Sequence, residues 1–252
     1  MLTPPSMRLI LLVLSLLAAW PVQAAPPELL ASLDALHARR AEASALKELE
    51  AALKKELQAS PEDYELIWRS SRLMTWQGDV AEDSRLKKVL GRQAWDMCER
   101  GVKVAPDRVE CHYFAAVGIG TYSQAVGIMK ALGEGLEGKF NERLDAAIRI
   151  NPDFDLGAPL VVKGRYHYEL PWPKRDLTES TKLLEKATGK FPQNLRAHYY
   201  LAETLLAADK AGKAKESIAK VTQGSGAYDP AEAKLVQGRA KKVEAKIEEE
   251  LK

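Results

Sequence analysis

The sequence predicts an all-α protein, a right-handed solenoid of repeated helix pairs, and three observations predict it. Apolar residues recur at three- and four-residue spacings, as in Leu195, Tyr199, Ala202 and Leu206, and again in Val236, Ala240, Val243, Ile247 and Leu251. Alternating or β-branched runs of the kind that build strands are missing after Ala25. Proline returns in one setting at Ser60-Pro61, Ala105-Pro106, Asn151-Pro152, Phe191-Pro192 and Asp229-Pro230, at spacings of 45, 46, 40 and 38 residues. A unit of that size with helical periodicity between its breaks is the mark of a helical repeat array.

Residues 1–24 read as a secretory leader. Arg8 precedes an apolar run from Leu9 to Trp20, Pro21 breaks it, and Val22-Gln23-Ala24 offers the small residues a signal peptidase reads. The run is shorter than the roughly 20 apolar residues a membrane-spanning helix needs. No cysteine follows the cleavage point, so lipid anchoring is not indicated. The expected mature chain starts at Ala25, is periplasmic or secreted, and has no stable insertion in a membrane.

Residues 25–60 read as N-terminal capping helices, with Leu46, Leu49, Leu53 and Leu57 on one face. Residues 61–228 carry the repeats. Proline suits the first helical position, and Ser60, Asn151 and Asp229 are good N-cap residues before it. Six or seven residues past a proline come the bulky pairs Ile67-Trp68, His112-Tyr113 and His198-Tyr199, and small residues follow at Ala116 and Ala202. The Pro152 unit has Ala158-Pro159 where a bulky pair is expected, so its first helix is expected to begin near Pro159. Residues 229–252 read as a C-terminal capping helix, because the last unit of a solenoid needs a polar outer face.

This large–small alternation resembles the tetratricopeptide repeat (TPR) in a degenerate form, longer than its standard 34 residues. A closer resemblance lies between Trp68 and Val221. There the order and spacing of aromatic, Gly and Pro residues are similar to the TatT type of irregular repeat protein, the T components associated with TRAP transporters. The Gly164-Arg165-Tyr166 stretch with nearby Pro171-Trp172 is also similar to the regulator of microtubule dynamics family. Both resemblances imply a helical scaffold that binds a partner protein or a ligand. The first implies a transporter's solute-binding component as a partner.

Composition and motifs exclude several classes. A hydrophobic content of 46% allows a buried core, and the near balance of 37 Lys and Arg against 35 Asp and Glu gives no field toward nucleic acid. Gly133-Glu134-Gly135-Leu136-Glu137-Gly138 fits a dinucleotide fingerprint in letters only. No strand precedes it, and its two glutamates would repel a phosphate, so the glycines are expected to break a helix. Neither a nucleophile elbow nor a Cys-x-x-Cys is present. No cofactor and no catalysis are expected.

The candidate site residues are therefore contact residues. Arg165, Tyr166 and Trp172 fall in the aromatic stretch RYHYELPWPKRD, which is expected to form a helix end, a proline-fixed corner and a helix start. His112, His198 and Tyr199 occupy matching repeat positions. Packing is the plainer role for the two histidines, and a weak metal site the alternative. Cys98 and Cys111 flank the Pro106 turn at similar heights on neighbouring helices, where either a disulfide or two separate buried thiols fit. The expected function is an exported scaffold or adaptor that binds a protein or peptide on its concave face. The alternatives are an accessory of a solute uptake system handling a small apolar ligand, and a histidine-based metal binder.

Overall fold

The repeated prolines shape four equivalent turns. In each, the main-chain N–H three residues on donates back to the residue before proline: Asp63 to Ser60, Arg108 to Ala105, Phe154 to Asn151 and Asn194 to Phe191, at 3.0–3.3 Å. Proline thus sits at the second position of a β-turn, where its fixed φ is favoured. This shifts the expected caps. Of the five repeated prolines, only Pro230 opens a helix, with Asp229 capping it. At Pro61 and Pro192 the helix begins after the turn, capped by Asp63 and Asn194, whose side chains accept from Leu66 and Ala197. Ser60 and Asn151 close turns rather than cap helices, because a β-turn consumes the residues that a Pro-first helix would have used.

The computed structural model describes residues 24–252, so the expected leader lies outside the described residues except for its last position. Among the described residues there are twelve helices and no strand. They are α1 (Pro27–Ala38), α2 (Ala43–Ala59), α3 (Tyr64–Val80), α4 (Ser84–Val104), α5 (Val109–Val126) and α6 (Ile128–Gly133). The remainder are α7 (Leu136–Ile150), α8 (Phe154–Glu169), α9 (Leu177–Lys190), α10 (Leu195–Ala207), α11 (Ala211–Thr222) and α12 (Pro230–Glu250). None is long and apolar enough to cross a membrane.

Packing runs from neighbour to neighbour. α3 lies on α4, α4 on α5, α5 on α7, α8 on α9, α9 on α10, α10 on α11 and α11 on α12. This makes a solenoid, with α1–α2 and α12 covering its ends. The core follows the same path in three linked parts. Leu33, Leu49 and Leu66 fill the first, Ile67, Phe114 and Ile119 the second, and Leu184, Ile218 and Val236 the third. Leu57 packs against the first and second parts, and Ile148 against the second and third. Each fully buried aliphatic side chain contributes about 1.5–3 kcal/mol, so the array is held by local burial at every step.

Two glycine features control the long second repeat. Gly91 on α4 and Gly118 on α5 face each other so closely that a Cβ on Gly118 would lie 2.7 Å from the Trp95 main-chain nitrogen. The α5–α6–α7 stretch is broken at Gly127 and Gly135, both with positive φ, so the Gly-rich segment does break a helix. In α8, residues Asp155, Leu156 and Gly157 adopt left-handed backbone angles, and the regular right-handed helix begins at Ala158-Pro159.

Candidate functional site

The concave face of the solenoid holds a half-open cavity of about 340 Å³. Its walls come from both ends and the middle of the described chain. Trp76 and Asp79 line it from α3, Tyr113 and Phe114 from α5, Phe140 from α7, Arg165 and Tyr166 from α8, and Arg196 and Tyr200 from α10. The α11–α12 corner adds Tyr228 and Asp229.

The two ends of the array meet across this cavity through charged side chains. Asp79 on α3 accepts from Arg196 Nη2 on α10 at 2.7 Å and from Arg239 Nη1 on α12 at 2.9 Å. Arg40, in the α1–α2 turn, donates to Asp229 at the start of α12 at 2.7 Å. Arg196 also reaches Glu232 and donates to the Tyr200 hydroxyl. Burial works to raise the Asp79 pKa, but Arg196 and Arg239 outweigh it and hold the carboxyl below its ordinary range. Arg40 stacks 4.3 Å above the Trp76 ring. His37 sits beside this seam, its Nδ1 buried without a hydrogen-bond partner. Burial, then the charges of Arg72, Arg40 and Arg69, push its pKa far down, so the ring is neutral.

The sequence candidates separate cleanly. Arg165 and Tyr166 line the cavity. Arg165 donates to Glu203 on α10 at 2.6 Å and its guanidinium stacks on Tyr168 and Tyr200, at 4.5 and 4.6 Å. Burial disfavours its charge, but Tyr200, Glu203 and Glu169 outweigh burial and raise its pKa. Tyr166 stacks on Phe140 at 5.2 Å, donates to Glu137 at 2.8 Å and accepts from Asn141 at 3.2 Å. Both residues thus line the cavity and tie α8 to its neighbours.

Trp172 stands outside the cavity, 89% exposed at the corner between α8 and α9. That corner is closed by the Asp176 main-chain N–H, which donates to His167 at 3.1 Å, while the Asp176 side chain caps α9. His112 and His198 do share a role at their matching positions. Each places Nε2 on the carbonyl of the proline six residues before it, at 2.8 Å on Pro106 and 3.1 Å on Pro192, which ties a helix to its own entry turn. Neither lines the cavity, nor does Tyr199, which packs against the last part of the core. Among the described residues no group of three or more His, Cys, Asp or Glu could hold a metal ion. Cys98 and Cys111 are free, buried thiols with sulfurs 3.1 Å apart.

Sequence reading missed the seam residues Arg40, Asp79, Arg196 and Arg239, and the cavity residues Tyr113, Tyr200 and Asp155. The one signal in the sequence was the bulky pair that recurs in three of the units, since Tyr113 is the second member of His112-Tyr113.

Comparison with curated proteins gave no match. Among solved structures, a TPR protein of Thermus thermophilus superposes with a TM-score of 0.62 at 17% identity, over 84% of this chain and 97% of that one. The similarity shows a TPR-type fold. Yeast Tom70 aligns with a TM-score of 0.32 at 12% identity, over 81% of this chain and 59% of its own. The family model described as regulator of microtubule dynamics protein 1-3 matches residues 29–248, from the first capping helix almost to the end of α12. With the match running the length of the solenoid and both its caps, the chain belongs to the regulator of microtubule dynamics protein 1-3 family.

Proposed function

We propose that the chain is an exported, non-catalytic scaffold that grips a segment of a protein or peptide partner in its concave cavity. One observation carries this reading: a cavity of about 340 Å³ on the concave face, walled by aromatic and arginine side chains that are already held in place. Trp, Tyr and Arg dominate binding hot spots, and rigid side chains lose little entropy on binding. Arg165, Tyr166, Tyr200 and Arg196 meet both conditions, each fixed by a hydrogen bond, an ion pair or a stacked ring.

Export with cleavage after Ala24 would strengthen one contact in the fold. The Ala25 main-chain nitrogen lies 2.6 Å from Asp63 Oδ2. Leader removal after Ala24 would make that nitrogen an α-ammonium and turn a hydrogen bond into an ion pair. The mass of the protein recovered from a periplasmic fraction tests this, and a mature chain that does not begin at Ala25 contradicts it.

Selection of displayed peptides on the mature protein tests the binding reading. Selected peptides are expected to lose affinity when Val117→Trp fills the cavity and to compete with one another. Peptides that bind the filled variant as well as the parent would overturn it.

A second reading is favoured by the apolar part of the same wall. Leu132, Leu136, Phe140, Val161 and Val162 would suit a small apolar ligand, as in an accessory protein of a periplasmic uptake system. Native mass spectrometry of the protein as purified separates the two readings: a bound small molecule of constant mass supports this one, and a ligand-free chain supports the scaffold.

A further inference from the structure

Cys98 on α4 and Cys111 on α5 meet inside the helix pair that carries part of the aromatic wall of the cavity. Both residues are fully buried. Their sulfurs lie 3.1 Å apart, inside the about 3.5–4.0 Å that even the smaller carbon atoms keep when unbonded. A disulfide needs about 2.0 Å, so about 1 Å of further approach joins them.

The surrounding fold makes room for this contact. Gly101 lies one turn after Cys98 on α4, and a Cβ there would overlap the Cys111 sulfur and lie 3.2 Å from Cys111 Cβ. Glycine thus opens the slot in which the sulfur sits. The Cys111 main-chain N–H donates to the Tyr64 hydroxyl at 3.3 Å, which fixes the start of α5 against α3. Tyr113 and Phe114 follow within one turn and line the cavity.

We infer that Cys98 and Cys111 form a disulfide in the mature protein, a covalent staple between α4 and α5. The bond forms by thiol–disulfide exchange. The thiolate of one cysteine attacks a disulfide-bearing oxidant and releases one of its sulfurs; the second cysteine attacks the mixed disulfide and releases the other. Two cysteine thiols are oxidised, one external disulfide is reduced to two thiols, and the protons of the cysteines pass to the released sulfurs.

Timing follows from burial. In the finished fold burial, reinforced by Cys111, pushes the Cys98 pKa well above the ordinary thiol value, so the attacking thiolate is scarce. An oxidant does not reach sulfurs with no exposed surface. The exchange therefore belongs to the folding chain, where the two cysteines are 13 positions apart and the short loop costs little entropy to close. The same burial shields the finished bond from reductants and argues against a redox-catalytic role.

The inference takes its oxidising compartment from the export reading, and the bond can be tested apart from it. Mature protein is reduced and unfolded, refolded in a glutathione redox buffer, then alkylated in denaturant and analysed by mass spectrometry. The expected product carries no alkyl group and has two hydrogens fewer than the dithiol, and dithiothreitol restores both thiols. Two alkylated cysteines, or glutathione adducts in place of the internal bond, would overturn the inference. The bonded form is expected to melt roughly 6–12 °C above its reduced form. An equal or lower melting temperature would overturn the staple.

The two readings fail differently. A mature periplasmic chain with two free thiols would overturn the bond and leave export standing. A chain that keeps its leader and stays in the cytoplasm would remove export, and the refolding result would then decide the bond alone.

Discussion

Asp79 and Arg239 stand 160 residues apart and share two hydrogen bonds. Nη1 of the arginine lies 2.9 Å from the carboxylate and Nη2 lies 2.8 Å from the Asp79 main-chain carbonyl. Because a solenoid packs each unit only on its neighbours, contact between its ends depends on the total curvature of the array. The seam of Asp79, Arg196, Arg239, Arg40 and Asp229 therefore bridges the concave face and leaves a half-open cavity beneath it.

The seam makes a stability prediction. Asp79→Asn keeps the shape but removes the charge that Arg196 and Arg239 share. Unfolding free energy is expected to fall by about 2 kcal/mol, the scale of hydrogen bonds to charged groups. Denaturant titration of both proteins checks this, and an unchanged midpoint would show that the seam contributes nothing to closure.

His37 makes a pH prediction. Its folded pKa lies far below the ordinary histidine value, so the unfolded chain binds a proton that the folded chain refuses. The contribution is fully present above about pH 6.5 and is lost as the solution is acidified below that value. Stability should decline by up to about 1.4 kcal/mol per pH unit between pH 6 and 5 from this group. His37→Gln should flatten the decline, and an identical slope in the variant would exclude His37 as its source.

Trp172 makes the opposite kind of prediction. With 89% of its surface exposed, it has little packing to lose. Trp172→Ala is expected to change stability by less than about 0.5 kcal/mol, the usual range for surface positions. A drop in melting temperature of many degrees would mean that the ring covers the core in solution.

Gly118 tests the closest helix crossing. A methyl group there would meet the main chain of Trp95 at 2.7 Å, and backbone cannot swing aside as a side chain can. Gly118→Ala is expected to cost about 1–3 kcal/mol despite the better helix propensity of alanine. A stabilised variant would contradict the packing of α4 on α5.

Much of this was legible in the sequence, and particular residues show why. Repeating prolines marked the turns, since proline is tolerated at few places in a helical chain. The late start of the Pro152 unit followed from Ala158-Pro159, where α8 does become regular. The equivalence of His112 and His198 was legible in their matching positions, but their hydrogen bonds to the Pro106 and Pro192 carbonyls were not. Caps were displaced by two or three residues because a β-turn and a Pro-first helix read alike in letters. Closure of the ends was not legible. Periodicity reports which face of a helix is apolar, whereas the Asp79–Arg239 pair depends on small rotations summed over the whole array.

The central claim is that partners enter the concave cavity. Photo-crosslinking tests it most directly, with p-benzoylphenylalanine placed at Tyr200 on the cavity wall and, separately, at Trp172 on the outer corner. The account predicts crosslinks to a selected peptide from position 200 and none from position 172. Crosslinks from position 172 alone would contradict it, placing the binding surface on the outside of the solenoid.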